Sequence, residues 1–237
     1  MIDDAPGEEQ QRLLAEVDIL KELSEREVDH VATRSPIVRL GEKEILTLGE
    51  DLRGILFLVS GRVRVHEPNF GGQDLTFSVV EGGTLVGQSG SAPGTSRAML
   101  VEALEPSVLR VVEWEDFERL VLRNPKVGVN TIRLLGERLD DYEARLSDLI
   151  RKEVPARLAG LILRLSEHHR GVTDGGGRRV IRARYTHRQL ASMVGSNREA
   201  VTRAFGVLKK AGAVESKDRQ IHVTDENALA RLAQVIR

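Results

Sequence analysis

Thr186-His187-Arg188-Gln189-Leu190-Ala191-Ser192-Met193-Val194-Gly195-Ser196-Asn197-Arg198-Glu199-Ala200-Val201-Thr202-Arg203 is the stretch on which the fold is decided. Thr186 and Gln189 stand as T-x-x-Q, a capping box that satisfies orphaned backbone N–H groups at the start of a helix. Gly195 falls where that helix must leave through a left-handed residue. Ser196 and Glu199 read as a second capping box, so the turn between two helices is tight. Ala191, Gly195 and Val201 occupy the places where a helix-turn-helix needs a small crossing residue, a turn glycine and a buried aliphatic. Val201, Phe205 and Leu208 give the second helix its buried face. Arg198, Glu199, Thr202 and Arg203 are left on the other face near its N-terminal end, the end that enters a DNA major groove.

Downstream, Val214-Glu215-Ser216 and Gln220-Ile221-His222-Val223 flank Lys217-Asp218-Arg219. This predicts a β-hairpin wing whose tip can touch phosphates. Asp225 then caps a last helix running to Ile236. Upstream, Gly171–Gly177 reads as a flexible loop and Ala156–His169 as a helix. Val154-Pro155 marks a domain boundary, because proline restrains the residue before it and cannot donate its amide.

Before that boundary the apolar period is helical. Ile132, Leu135, Leu139, Tyr142, Leu146 and Leu149 are spaced 3, 4, 3, 4, 3, a narrow a/d seam. Such a stripe pairs with a second copy of itself or packs on its own domain, and its narrowness favours the dimer. From Ile37 to Val112 the pattern is different: short runs (Ile45–Leu48, Ile55–Val59, Arg62–Val65, Leu75–Val80, Val108–Val112) between glycine-bearing turns. Regular short strands of this kind predict an antiparallel sandwich or roll. Arg62-Val63-Arg64-Val65 alternates like a strand with one wet face. Leu13–Ala32 carries helical spacing, with Ser24 and Glu27 as a capping box.

The composition agrees with a globular chain of two domains: 237 residues, 41% hydrophobic, 30% charged and only 3% aromatic. With no cysteine, disulfides, thiol nucleophiles and cysteine-ligated iron–sulfur clusters are excluded. No run approaches a membrane span, and the acidic residues 1–10 are unlike a signal peptide, so a cytoplasmic location is expected. A net charge of −1 conceals an asymmetry. Residues 1–50 hold 13 acidic and 6 basic side chains, whereas residues 178–219 hold 11 basic and 3 acidic. On charge alone this fits a polyanion-binding surface or, equally, a solvated basic face with no partner.

In its order of β-roll, long helix, hinge and winged helix-turn-helix, the chain resembles the cyclic-AMP receptor protein/fumarate-nitrate regulator (CRP/FNR) family of bacterial transcription regulators. The resemblance covers nearly the whole chain and is sharpest at Thr186–Arg203. The family's R-E-x-x-x-R signature, which reads a TGTGA half-site, is intact as Arg198, Glu199 and Arg203. The resemblance implies that Arg198 and Arg203 contact guanine and that Glu199 accepts from cytosine. It also implies that Thr186, Arg188, Gln189 and Ser196, with Lys217 of the wing, contact the DNA backbone. A homodimer along Ile132–Leu149, a palindromic site and recruitment of RNA polymerase are further implications. Activation follows from the family, although repression from an overlapping site is equally open on physical grounds.

The sensor matches less well. Family members that bind cyclic nucleotides grip ribose and phosphate through a G-E pair and a later R-S/T pair. Here the corresponding residues are Gly87-Gln88 and Arg97-Ala98, in a loop one residue short. The Thr-Ser pair that meets adenine aligns with Tyr142 and Glu143. Each change removes a ligand contact or adds bulk. Effector-independent action, or a ligand other than cyclic AMP, is therefore favoured. Haem is disfavoured, since His66 is the one candidate axial ligand.

Other classes fare worse. Gly82-Gly83-Thr84-Leu85-Val86-Gly87 lacks the lysine of a phosphate-binding loop. His168-His169 with Asp174 has no second ligand cluster at metal spacing. No nucleophile–base arrangement is found, so an enzyme is not expected. A cyclic-nucleotide-type regulatory module without DNA function leaves the helix-turn-helix unexplained. The expected fold is α+β: an N-terminal antiparallel β-roll of cyclic-nucleotide-binding-like jelly-roll type over residues 1–124, a dimerisation helix and hinge over 125–154, and a winged helix-turn-helix over 155–237.

Overall fold

The computed structural model describes residues 2–3, 14–48, 54–67, 74–89, 99–168, 173, 178–181, 183–218 and 220–235. The chain divides into two compact units, Met1–Leu139 and Asp140–Arg237.

The first unit contains β1 (Ile2–Asp3), α1 (Glu25–Arg34), β2 (Ile37–Leu40), β3 (Ile45–Leu48), β4 (Gly54–Ser60), β5 (Arg62–Glu67), β6 (Leu75–Glu81), β7 (Thr84–Ser89), β8 (Met99–Ala103), β9 (Ser107–Val112), α2 (Trp114–Arg123) and the start of α3 (Pro125–Arg151). Two antiparallel sheets, ordered β1-β2-β9-β4-β7 and β3-β8-β5-β6, form the expected roll. β1, β2, β7 and β8 are additions to the strands read from the sequence.

β4 shows why the sheets stack. Its residues alternate between two apolar clusters, following the two-residue period of a strand. Leu56 and Leu58 join Val63, Val101 and Leu109 between the sheets. Ile55, Phe57 and Val59 meet Leu20, Val28, Leu120 and Val127 under the helices. The Ser24–Glu27 capping box at the start of α1 is present.

The wet face expected of Arg62–Val65 is a correction. Arg64 is only 7% exposed. Its guanidinium pairs with Glu102 on β8 and reaches Thr76 Oγ1 at 3.4 Å and Asp74 Oδ2 at 3.5 Å. His66 is buried beside it, 3.8 Å from both Asp74 and Glu102. The carboxylate that allows this burial comes from a strand 38 residues on, beyond the reach of a local pattern.

The second unit contains the rest of α3, then α4 (Val154–His168), β10 (Val180–Ile181), α5 (His187–Met193), α6 (Arg198–Lys210), β11 (Val214–Lys217), β12 (Gln220–Val223) and α7 (Glu226–Ala233). Helical backbone stops at Arg151 and resumes at Val154, so Pro155 sits in a first turn, where its missing N–H costs nothing. Leu158, Ile162, Leu190, Val201, Leu208, Ile221 and Leu229 form the core. α7 ends at Ala233 rather than Ile236, with the Gln234 N–H closing on the Arg231 carbonyl. Ile236 lies outside the described residues, as do Gly171–Gly177 apart from Thr173, together with His169, Asp174 and the side chain of His168. Among the described residues, no helix is long and apolar enough to cross a membrane.

Candidate nucleic-acid interface

α5 begins as its sequence demands. The Thr186 hydroxyl accepts from the Gln189 N–H at 3.2 Å, and the Thr186 N–H donates to Gln189 Oε1 at 2.9 Å. Gly195 turns the chain with φ +62°, the left-handed region in which a β-carbon is penalised. The Ser196 N–H then donates to the Ala191 carbonyl at 2.9 Å.

The second cap differs from the expected Ser196–Glu199 box. Asn197 is the N-cap of α6, and its Oδ1 accepts from the Ala200 N–H at 2.8 Å. The sequence S-N-R-E offers two capping residues in succession, and the backbone uses the second. Glu199 is thereby released from any capping duty.

Val201, Ala204, Phe205 and Leu208 are buried, which turns the opposite face of α6 outward. Arg198, Glu199, Thr202 and Arg203 are exposed on that face. Among the described residues, the side chains of Arg198, Glu199 and Arg203 make no hydrogen bond or ion pair. Three polar side chains at the start of a helix thus present unused donors and acceptors to solvent. Arg188 is exposed on α5 and Ser196 is half-buried in the turn.

A contact the sequence reading missed joins the two helices. His187 Nδ1 lies 2.9 Å from Thr202 Oγ1, and the imidazole packs 5.4 Å from the Phe205 ring. Burial holds the His187 pKa below its ordinary value, and the positive charges of Arg198 and Lys209 lower it further. The wing follows as expected: Lys217 pairs with Gln220 across a turn containing Asp218 at φ +53°. Lys217 is exposed, and Arg219 lies outside the described residues.

On α3, all six seam residues stand exposed on the single chain, from Tyr142 at 41% to Ile132 at 73%. Val127 and Leu134, on another face of the helix, pack into the first unit's core. The sensor residues are only partly placed. Gly87 is half-buried on β7, with open space where a β-carbon would project. Tyr142 and Glu143 are exposed. The Gln88 side chain, Arg97 and Ala98 lie outside the described residues.

A β-roll unit joined to a winged helix-turn-helix defines a DNA-binding transcription regulator with a cyclic-nucleotide-binding type of sensor domain. Residues 39–124 match the model of the cyclic nucleotide-binding domain, and residues 156–232 match the Crp-like helix-turn-helix domain. The chain belongs to the CRP/FNR family of transcription regulators. It is 29% identical over 184 residues to the cyclic AMP receptor protein of Thermus thermophilus, covering 77% of this chain and 81% of the relative. It is 23% identical over 207 residues to the fumarate and nitrate reduction regulatory protein of Escherichia coli, covering 87% and 81%. A mutant of CooA from Carboxydothermus hydrogenoformans shares the fold with a TM-score of 0.74 at 21% identity, over 99% of this chain and 98% of that one.

Proposed function

We propose that the chain acts as a homodimer on a TGTGA-like palindrome, reading bases through Arg198, Glu199 and Arg203. The observation that carries this reading is the division of labour at the start of α6: Asn197 caps the helix, leaving Glu199 and both arginines exposed with no partner among the described residues. Arginine matches the paired acceptors of guanine, and a carboxylate accepts from cytosine N4. Thr186, Arg188, Gln189, Ser196 and Lys217 hold the backbone and set the register. The exposed seam from Ile132 to Leu149 joins two copies within a dimerisation and hinge segment, residues 125–154. Two recognition helices then meet half-sites about one helical turn (~34 Å) apart. By likeness to the family, the cytoplasmic dimer recruits RNA polymerase and activates transcription.

Cyclic AMP is not the favoured effector, because Gln88 and Ala98 replace an acid and a hydroxyl, and Tyr142 and Glu143 replace small polar residues. Fluorescence anisotropy on a TGTGA-N6-TCACA duplex and a scrambled duplex, at fixed salt and with or without cyclic AMP, tests both parts. Specific binding without nucleotide supports both. Binding only with nucleotide supports the DNA reading and overturns the effector reading. Equal affinity for both duplexes overturns the base-reading assignment.

A further inference from the structure

A cleft of about 300 Å³ opens between α1, α2 and β9 of the first unit, large enough for a small organic molecule. We propose that it binds an amphipathic organic anion: an apolar body on the cleft floor and a carboxylate, or an anion of like shape, held by arginines at its rim. Among the described residues, its lining includes none of Gly87, Tyr142 and Glu143, the described members of the position that the family resemblance assigns to a nucleotide.

The floor is apolar, formed by Val31, Val112 and Leu120 from three different elements. Four arginines surround it: Arg26 and Arg34 on α1, Arg119 and Arg123 on α2. Among the described residues, two carboxylates share the lining, and both are already engaged. Asp116 takes Arg34 at 2.9 Å and also pairs with Arg119. Glu27 is occupied by the helix cap, accepting from the Ser24 N–H at 2.8 Å and its hydroxyl at 2.6 Å. Arg26 and Arg123 therefore keep guanidinium groups that pair with no described residue. Four arginines against two carboxylates leave the described lining with an excess of two positive charges.

A second observation lies behind the wall. Arg110 is fully buried on β9. One terminal nitrogen donates to the Ala32 carbonyl at 2.7 Å, and to the carbonyl and hydroxyl of Ser35 at 2.8 and 3.1 Å. Ser35 itself lines the cleft. The Nε and the other terminal nitrogen of Arg110 are buried with no partner among the described residues. Among the described residues, no carboxylate opposes this cation, and the charged neighbour that acts on it is another cation, Arg39. A buried charge without a counter-ion is costly, even with helix-end carbonyls to accept its hydrogen bonds. An anion seated beside Ser35 would offset that cost. The planar fork of arginine favours carboxylate, phosphate or sulfonate groups, while the floor selects against bare inorganic ions.

The chain's only tryptophan, Trp114, reports on the site, standing two residues from both Val112 and Asp116. The test titrates the full-length protein with octanoate, and with octanol at matched concentrations, following Trp114 emission and heat release. Octanoate is expected to saturate at one per chain and to bind at least about tenfold more tightly than octanol. The double variant Arg26→Glu/Arg123→Glu, which removes two exposed and unpartnered side chains, is expected to weaken octanoate about tenfold or more. Its thermal unfolding without ligand should match that of the parent. Equal binding of octanoate and octanol, no binding of either, or an unchanged titration in the double variant would each overturn the proposal. So would a loss confined to Arg97→Ala, because it would place the anion in the roll.

Discussion

The Cδ2 of Leu149 fills the space beside Gly195, 2.8 Å from where a β-carbon on that glycine would stand. The last residue of the apolar seam on α3 thus packs against the turn of the helix-turn-helix, within one compact unit. Gly195→Ala meets two penalties: a left-handed φ of +62°, which costs an L-residue about 1–2 kcal/mol, and the collision with Leu149. Denaturant unfolding should show Gly195→Ala destabilised by at least about 1 kcal/mol. Adding Leu149→Ala should recover the collision but not the backbone strain, a coupling that a double-mutant cycle measures. A neutral Gly195→Ala would contradict the observed turn.

The shift of the cap from Ser196 to Asn197 separates stability from recognition. Asn197→Ala should cost about 1 kcal/mol, the usual value of a lost N-cap. Ser196→Ala should stay within about 0.5 kcal/mol, and so should Glu199→Ala, because neither side chain holds the helix end. Thermal unfolding of the three variants decides the matter. A large loss in both Ser196→Ala and Glu199→Ala, with little in Asn197→Ala, would restore the Ser196–Glu199 box and contradict the observed cap.

Local signals in the sequence carried the helix-turn-helix well. The Thr186–Gln189 box, the Gly195 turn and the buried Val201-Phe205-Leu208 face each depend on residues fewer than five apart. The roll was legible as a class, while β1, β2, β7 and β8 were not: β7, for one, carries Gly87 inside the strand, where glycine otherwise reads as a turn. Arg64 was misread because the carboxylate that buries it arrives from Glu102 on another strand. His187–Thr202 and the arginine-rimmed cleft were invisible for the same reason. The contact links residues 15 apart, and the Arg34–Asp116 pair across the cleft spans 82.

Base reading and backbone anchoring give different signatures. Arg203→Ala and Glu199→Ala should each cost about 1–3 kcal/mol on the specific duplex and relax preference at one base pair. Lys217→Ala should weaken specific and scrambled duplexes alike and reduce the salt slope by about 1. Anisotropy over a salt series measures both quantities. An unchanged specific-to-scrambled ratio in Arg203→Ala would show that this arginine reads no base.

Exposure of the whole seam on a single chain sets up the dimer prediction. Leu139 is 56% exposed and Leu146 61%, a load of apolar surface that a second copy would cover. The double substitution Leu139→Glu/Leu146→Glu places two carboxylates in that seam and should yield a monomer by sedimentation. The variant's circular dichroism should be unchanged, since neither residue belongs to a core of the single chain. Specific DNA affinity should fall with the lost second half-site. A variant that sediments as the parent does would show that the seam is not the interface.

Two histidines predict how stability depends on pH. Burial holds His187 below its ordinary value of 6.5, aided by Arg198 and Lys209. Burial also lowers His66, with Arg64 acting in the same sense against the opposing pull of Asp74 and Glu102. The unfolded chain takes up protons near pH 6.5, whereas the folded histidines resist until lower pH. More protons on the unfolded state mean that stability rises with pH, so the contribution is whole above about 6.5 and is lost as pH falls below it. Carboxylates act in a separate, more acidic window. Serine and backbone hydrogen bonds from Ser24 hold Glu27 below 4.5. For Asp116, burial pushes upward but Arg119 and Arg34 together bring it below 3.8. Thermal unfolding between pH 7.5 and 5.5 should therefore show a decline that His66→Gln and His187→Gln each make shallower, with the carboxylate phase beginning only near pH 4. Phosphate groups near His187 would draw a proton onto it, so specific DNA binding should take up protons in the same range, and His187→Gln should abolish that uptake. A parent whose stability is flat across this range would mean that neither imidazole is held neutral by the fold.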